Sequence, residues 1–158
     1  MTSTTRSPLL TATTRTFESL ALLLSSTEPT GAEATARPAH AVRVAFTGPL
    51  RGCLALRVTD DVARAFAENM LGVAEADLGM VRDALGEVAN VVCGNLLPDL
   101  AGRSAVFHLA APEPIDVTDA AWSARPAVSA LSASLGIDGG RADVALHLDP
   151  ATPLRLSS

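Results

Sequence analysis

Hydrophobic and polar positions alternate in two pairs of tracts along the chain. In 40–47, Val42, Val44 and Phe46 share one face with Arg43 on the other, and 53–58 alternates again. Gly48 and Gly52 bracket the turn between them, which predicts a hairpin. The tracts 127–135 and 142–148 alternate around Gly136-Ile-Asp-Gly139-Gly140, a second hairpin in which Val144, Leu146 and Leu148 share a face. Elsewhere the period is helical. Phe17, Leu20, Ala21 and Leu24 predict an amphipathic helix over 11–25. A second helix, over 60–72, has N-cap chemistry at Thr59 and Asp60 and Gly72 as its C′ residue. A third runs from about Leu78 to Leu97, with Asp77 as a cap and Pro98 where it must end or kink. The stretch 26–39 reads as a loop, and 105–110 as a strand running into Pro112. Within the ambiguous stretch 113–126 a short strand is expected near 115–118. Residues 1–10 read as a flexible terminus before a single domain over 11–158. Segregated helices and hairpin-paired strands define an α+β domain, one largely antiparallel sheet covered by long helices. The order helix–hairpin–helix, then helix–strands–hairpin, points to two similar halves.

The third helix is the unusual one. At about 100° per residue, Asp83, Glu87, Asn90 and Gly94 fall within roughly 60° of one another. Val81, Leu85, Val88, Val92 and Leu96 form the apolar stripe opposite. Gly86 sits beside the polar line. Each glycine inside a helix costs roughly 1 kcal/mol relative to alanine, so a helix holding both Gly86 and Gly94 needs a bare face. Something is expected to lie close against it. Asn95 points about 120° from Gly94, toward the packed half, and reads as a structural amide satisfying backbone groups.

Composition narrows the chemistry. The chain has 158 residues and is 48% hydrophobic, yet only five residues are aromatic, so the core is built from Ala, Val and Leu. No apolar run approaches the ~18 residues of a membrane span, and no charged segment precedes Leu20–Leu24 to suggest a signal peptide. A cytoplasmic protein that does not enter a membrane is expected. The net charge of −5 and the absence of a basic run argue against nucleic acid. All twelve cationic residues are arginine. Without lysine there is no Walker A site, no Schiff base and no Ser–Lys pair. Cys53 and Cys93 are not spaced as a C-x-x-C and read as buried, reduced thiols. His40, His108 and His147 are dispersed, without partners at metal-ligand spacing. Trp122, alone in the ambiguous stretch, reads as a core residue or a partner anchor.

Asp83-x3-Glu87-x2-Asn90, followed by Gly94-Asn95 and by Pro112 twenty-two positions after Asn90, resembles the signature of the CheC/CheX/FliY chemotaxis phosphatases. Glu87-Val-Ala-Asn90-Val-Val-Cys-Gly94-Asn95 is most similar to the CheX branch. Gly48-Pro-Leu-Arg-Gly52 and the helix ending in Asn-Met-Leu-Gly72 sit where that family places a hairpin and its following helix. The resemblance implies a CheX-like phosphatase domain that hydrolyses the aspartyl phosphate of a CheY-like response regulator. In that reading Asn90 orients the attacking water, Glu87 pairs with the receiver's lysine, and Asp83, Gly86 and Gly94 contribute to partner binding. Pro112 shapes the backbone after the third strand. No cofactor of the protein's own is implied, because the receiver supplies Mg2+. The first helix offers Glu18-Ser-Leu-Ala21, with alanine in place of the amide, so a single site is expected. A homodimer paired through the strand 142–148 is also expected. The reading from another class is a non-catalytic domain that binds a phosphorylated receiver, as flagellar-switch middle domains act by binding.

Overall fold

A computed structural model describes residues 8–26, 28–118 and 129–149. The strands are β1 (His40–Thr47), β2 (Gly52–Val58), β3 (His108–Leu109), β4 (Glu113–Pro114), β5 (Ser129–Ile137) and β6 (Gly140–Leu148). They form one antiparallel sheet in the order β3-β1-β2-β6-β5, with β4 also paired to β1. The helices are α1 (Pro8–Ser19), the single turn α2 (Ala32–Thr35), α3 (Asp60–Leu71) and α4 (Leu78–Ala101). Val42, Val44, Leu54, Leu56, Val144 and Leu146 are in cross-strand register and share one face of the sheet. They join Leu9 and Phe17 of α1, Phe66 of α3 and Val88 and Leu96 of α4 in a single core. The expected α+β architecture is present. α4 lies at its centre, packed on α1, α3, β1 and β2.

Both hairpins are where the alternation places them. Asp138 and Gly139, both at positive φ, make a two-residue turn between β5 and β6 that suits a right-twisted pair. Asp77 caps α4, accepting the Met80 N–H at 2.8 Å, and Gly72 ends α3 in the left-handed region. Thr59 precedes α3 without capping it through its side chain. Its Oγ instead accepts the Arg141 N–H at 3.1 Å, which ties the helix start to β6.

Several boundaries differ from expectation. α1 begins at Pro8, so 8–10 belong to the folded unit, and Leu9 is fully buried. The helix stops at Ser19, well short of residue 25. Leu22 adopts φ 57°, a left-handed conformation at a position glycine usually holds, and the Leu23 N–H reaches back six residues to the Phe17 carbonyl. With no glycine to mark the stop, the apolar run Leu20–Leu24 reads as more helix, yet Leu24 is exposed. At the other end, α4 passes through Pro98 to Ala101. Proline removes the bond to the carbonyl four residues back, here that of exposed Gly94, where solvent can take its place. The strand expected over 105–110 shrinks to His108–Leu109, and that near 115–118 is replaced by Glu113–Pro114. The Asp116 carboxylate accepts from the Thr118 backbone and hydroxyl, making a turn there. Trp122 lies outside the described residues.

The strand 142–148 cannot pair with a second copy. β6 is internal, bonded to β2 on one side and β5 on the other, so a dimer formed through the sheet would have to use β5 or the β3/β4 side.

Candidate functional site

α4 buries its apolar stripe completely: Val81, Leu85, Val88, Val92 and Leu96 are all at most 3% exposed. Asp83, Glu87 and Gly94 are exposed, and Asn90 is half-buried among them. The helix therefore presents an acid, an amide and a glycine along one edge, spaced about one turn apart. Asp83 and Glu87 make no ion pair among the described residues.

Asn90 carries the most informative feature. Its Oδ1 is buried and receives no hydrogen bond from the described residues. A buried acceptor left unpaired costs about 1–3 kcal/mol, and such groups in native proteins call for an explanation. No described residue holds this oxygen.

The two glycines do different work. A Cβ at Gly94 would meet nothing within 4 Å, so this backbone is open to an approaching surface. A Cβ at Gly86 would lie 3.1 Å from Pro112 Cβ and 3.3 Å from Pro112 Cγ. Gly86 is buried, and its bareness admits the chain's own Pro112. The expectation that it faces a partner is corrected. A wheel drawn from α4 alone puts Gly86 near the polar line and cannot show that the segment after β3 folds over it. Pro112, expected only to shape the backbone after the third strand, thus also packs against α4 at Gly86.

Asn95 is exposed, against the expectation that it turns toward the packed half, and its Nδ2 donates to the Thr16 hydroxyl of α1 at 3.3 Å, with no backbone partner among the described residues. Thr16 in turn bonds its own helix, donating to the Ala12 carbonyl at 2.8 Å. This link sets α1 alongside the C-terminal half of α4. Between the two helices runs a groove of about 780 Å³, bordered by Gly94 and Asn95 on α4 and by Arg15, Glu18 and Ser19 on α1. A smaller one, about 340 Å³, lies at the Asp83 end among Arg82, His40, Pro112 and Pro114. Sequence reasoning passed over Arg15, Arg82 and Arg103, because nothing in a lone arginine says which helix edge it will border.

The remaining candidates separate from the site. His40 Nε2 lies 2.9 Å from Asp60 Oδ1, and Arg64 holds the other oxygen of that carboxylate at 2.7 Å. The His40 and Arg64 contacts hold Asp60 below the usual carboxylate range. Among the described residues no group of three His, Cys, Asp or Glu is placed to hold a metal ion. Cys93 is buried, and burial pushes its thiol up to about 12, so it stays protonated; Cys53 is half-buried. No helix among the described residues is long and apolar enough to cross a membrane.

Stability should track these faces. Leu85→Ala is expected to cost on the order of 2–5 kcal/mol. Glu87→Ala should change stability by no more than about 0.5 kcal/mol, as exposed substitutions usually do. Urea unfolding of both variants checks this, and a large loss at Glu87 would mean that it holds the fold.

A two-layer α+β domain that offers the polar edge of one central helix is the class these features define. Residues 40–135 match the family described as chemotaxis phosphatase CheX, and the chain belongs to that family. Among solved structures it resembles a chemotaxis protein CheX from Desulfovibrio desulfuricans, with TM-score 0.69 and 22% identity over 90% of this chain and 97% of that one. CheX from Vibrio vulnificus gives TM-score 0.69 and 21% identity, covering 90% of this chain and 94% of the other. A CheX–CheY–BeF3–Mg2+ complex from Borrelia burgdorferi gives 0.66 and 20%, over 89% and 95%. At these identities the likeness establishes the fold. A comparison with curated proteins gave no match.

Proposed function

We propose that this protein hydrolyses the aspartyl phosphate of a CheY-like response regulator, with the edge of α4 entering the receiver's phosphorylation site. Membership of a chemotaxis phosphatase family supports the reaction class. The Borrelia CheX solved with CheY, BeF3 and Mg2+ supports a receiver as the partner and the receiver as the source of the metal. The observation that carries the reading is the Asn90 Oδ1, which no described residue bonds, about one turn from exposed Glu87, which makes no ion pair among the described residues.

Hydrolysis needs little from this chain beyond placement. Water attacks phosphorus, the bond between phosphorus and the aspartate oxygen breaks, the carboxylate leaves, and inorganic phosphate carries away the oxygen of the water. A carboxamide can accept a hydrogen bond from that water and donate one to a phosphoryl oxygen, so it fixes the line of attack without acting as a base. The Asn90 oxygen lies inward in the free protein. No described residue bonds that oxygen, and χ2 of asparagine is a broad torsion, so a partial turn brings the amide toward the water with its N–H donors still outward. Glu87 grips the receiver's active-site lysine, and exposed Asp83 adds negative charge along the same edge. Gly94 lets the two surfaces close.

Decay of a phosphorylated CheY-like receiver, with and without the protein, tests the proposal. Glu87→Ala should weaken affinity for the beryllofluoride-loaded receiver and lower turnover at subsaturating receiver in proportion. If the protein binds that receiver and leaves phosphoryl decay unchanged, it is a docking domain and the hydrolytic reading fails.

A further inference from the structure

We infer that the groove between α1 and α4 is the surface by which this protein selects its receiver, through pairing of Arg15 and Arg103 with carboxylates on the receiver. The inference rests on the receiver-directed reading of α4 and extends it to a second helix that carries none of the chemistry.

The groove begins where the catalytic edge ends. Gly94, one turn beyond Asn90, is part of both, so a partner seated over Asn90 necessarily covers the groove mouth. Its lining is mixed, polar and apolar in about equal measure: Arg15, Glu18 and Ser19 from α1, with Asn95, Pro98 and Asp99 from α4 and Arg103 just after it. The charges there are idle. Arg15, Glu18, Asp99 and Arg103 make no ion pair or side-chain hydrogen bond among the described residues. Four other arginines are paired internally, Arg43 with Glu113, Arg57 and Arg141 with Asp143, and Arg64 with Asp60, whereas exposed Arg37, Arg51 and Arg82, like the groove pair, have no ion pair among the described residues.

Glu18 belongs to the same argument. It is the acid of Glu18-Ser-Leu-Ala21, in which Ala21, at the position of an amide, is fully buried. α1 therefore brings a charged edge to the partner without the amide that α4 carries one turn from its acid. Charges at the rim of an interface set encounter rate and partner choice more than chemistry. Arg15 and Arg103 offer seats for carboxylates while Glu18 and Asp99 repel carboxylates placed elsewhere in the groove, so the four charges set a pattern that a partner has to match.

The experiment uses the full chain and one CheY-like receiver, with two readouts. Affinity is measured for the receiver loaded with beryllofluoride and Mg2+, and KM and the saturated rate for its phosphorylated form. The double variant Arg15→Glu/Arg103→Glu should raise Kd and KM roughly tenfold or more and leave the saturated rate unchanged. Raising NaCl should weaken wild-type binding and have little effect on the double variant. Arg37→Glu/Arg51→Glu makes the same change of net charge at exposed positions outside the groove, and should bind as wild type does. Thermal melts check folding; since neither groove arginine has an ion pair among the described residues, the melting temperature should hold. A double variant with wild-type KM and salt dependence overturns the groove as a selecting surface and leaves the hydrolytic reading standing. Wild-type binding with no acceleration of phosphoryl decay overturns the hydrolytic reading alone, and the affinity series still decides the groove. A loss confined to the saturated rate would place the arginines in the chemistry and overturn their role in selection.

Discussion

Replacing Asn90 by alanine is expected to lower the saturated rate of receiver dephosphorylation roughly a hundredfold, the order seen when one positioned polar group is lost from an active site. Affinity for the beryllofluoride-loaded receiver should change little, because Glu87, Gly94 and the groove remain. Stability should not fall. The alanine removes a buried oxygen that has no partner, so the fold loses no hydrogen bond to that atom. Most asparagines with a buried amide atom would behave oppositely, which makes the pair of measurements informative. Asn90→Asp is the harsher change. It keeps the size, removes the N–H donors and sets a negative charge against the phosphoryl group, so affinity and saturated rate should both drop. Should Asn90→Ala leave the saturated rate intact and weaken only affinity, Asn90 is a contact residue and water orientation is wrong. Should it unfold the protein, the amide is structural.

The sequence made the edge of α4 legible because a helix has one fixed periodicity and the motif lies within a single helix. Asp83 and Glu87 emerge on the solvent side, Asn90 is half-buried with its Oδ1 turned inward, and the apolar stripe opposite is buried as the wheel requires. What failed were features decided by contacts between segments. Gly86 was indistinguishable from Gly94 until Pro112 was seen folded onto it. β6 reads as a strand near the end of the chain, yet it is internal because β2 and β5 flank it, and register across three strands is not written in any one of them. The early end of α1 depends on a left-handed leucine, a conformation whose usual signal is glycine. The groove of Arg15 and Arg103 needs two helices to be set side by side, and the bond from Asn95 to Thr16 that helps set them joins residues 79 positions apart.

The same logic applies to the face of the sheet away from the core, where Asp143 is expected to be the residue whose loss is felt most. It is only 6% exposed, and three strands converge on it. Arg57 of β2 donates to Oδ2 at 2.8 Å, while Ser134 of β5 and Arg141 of β6 donate to Oδ1 at 2.7 and 2.9 Å. The two guanidinium groups reach onward to the Val117 and Ala34 carbonyls, so one carboxylate fastens α2 and the 115–118 turn to the sheet. Asp143→Ala should cost about 3–5 kcal/mol, the range for removing one partner of a buried ion pair, since it leaves two arginines without their carboxylate. Burial alone would push Asp143 up, but the Ser134, Arg141 and Arg57 bonds together hold it below its ordinary 3.8. A carboxylate depressed in the folded state binds fewer protons there than in the unfolded chain. Its contribution is therefore present in full above pH 3.8 and is lost as pH falls through the folded value. Urea unfolding at pH 7 and in acid should show the gap between wild type and Asp143→Ala narrowing as the pH drops below 3.8. An equal gap at both pH values would mean that the variant loses packing and that the charge at Asp143 does not stabilise the fold.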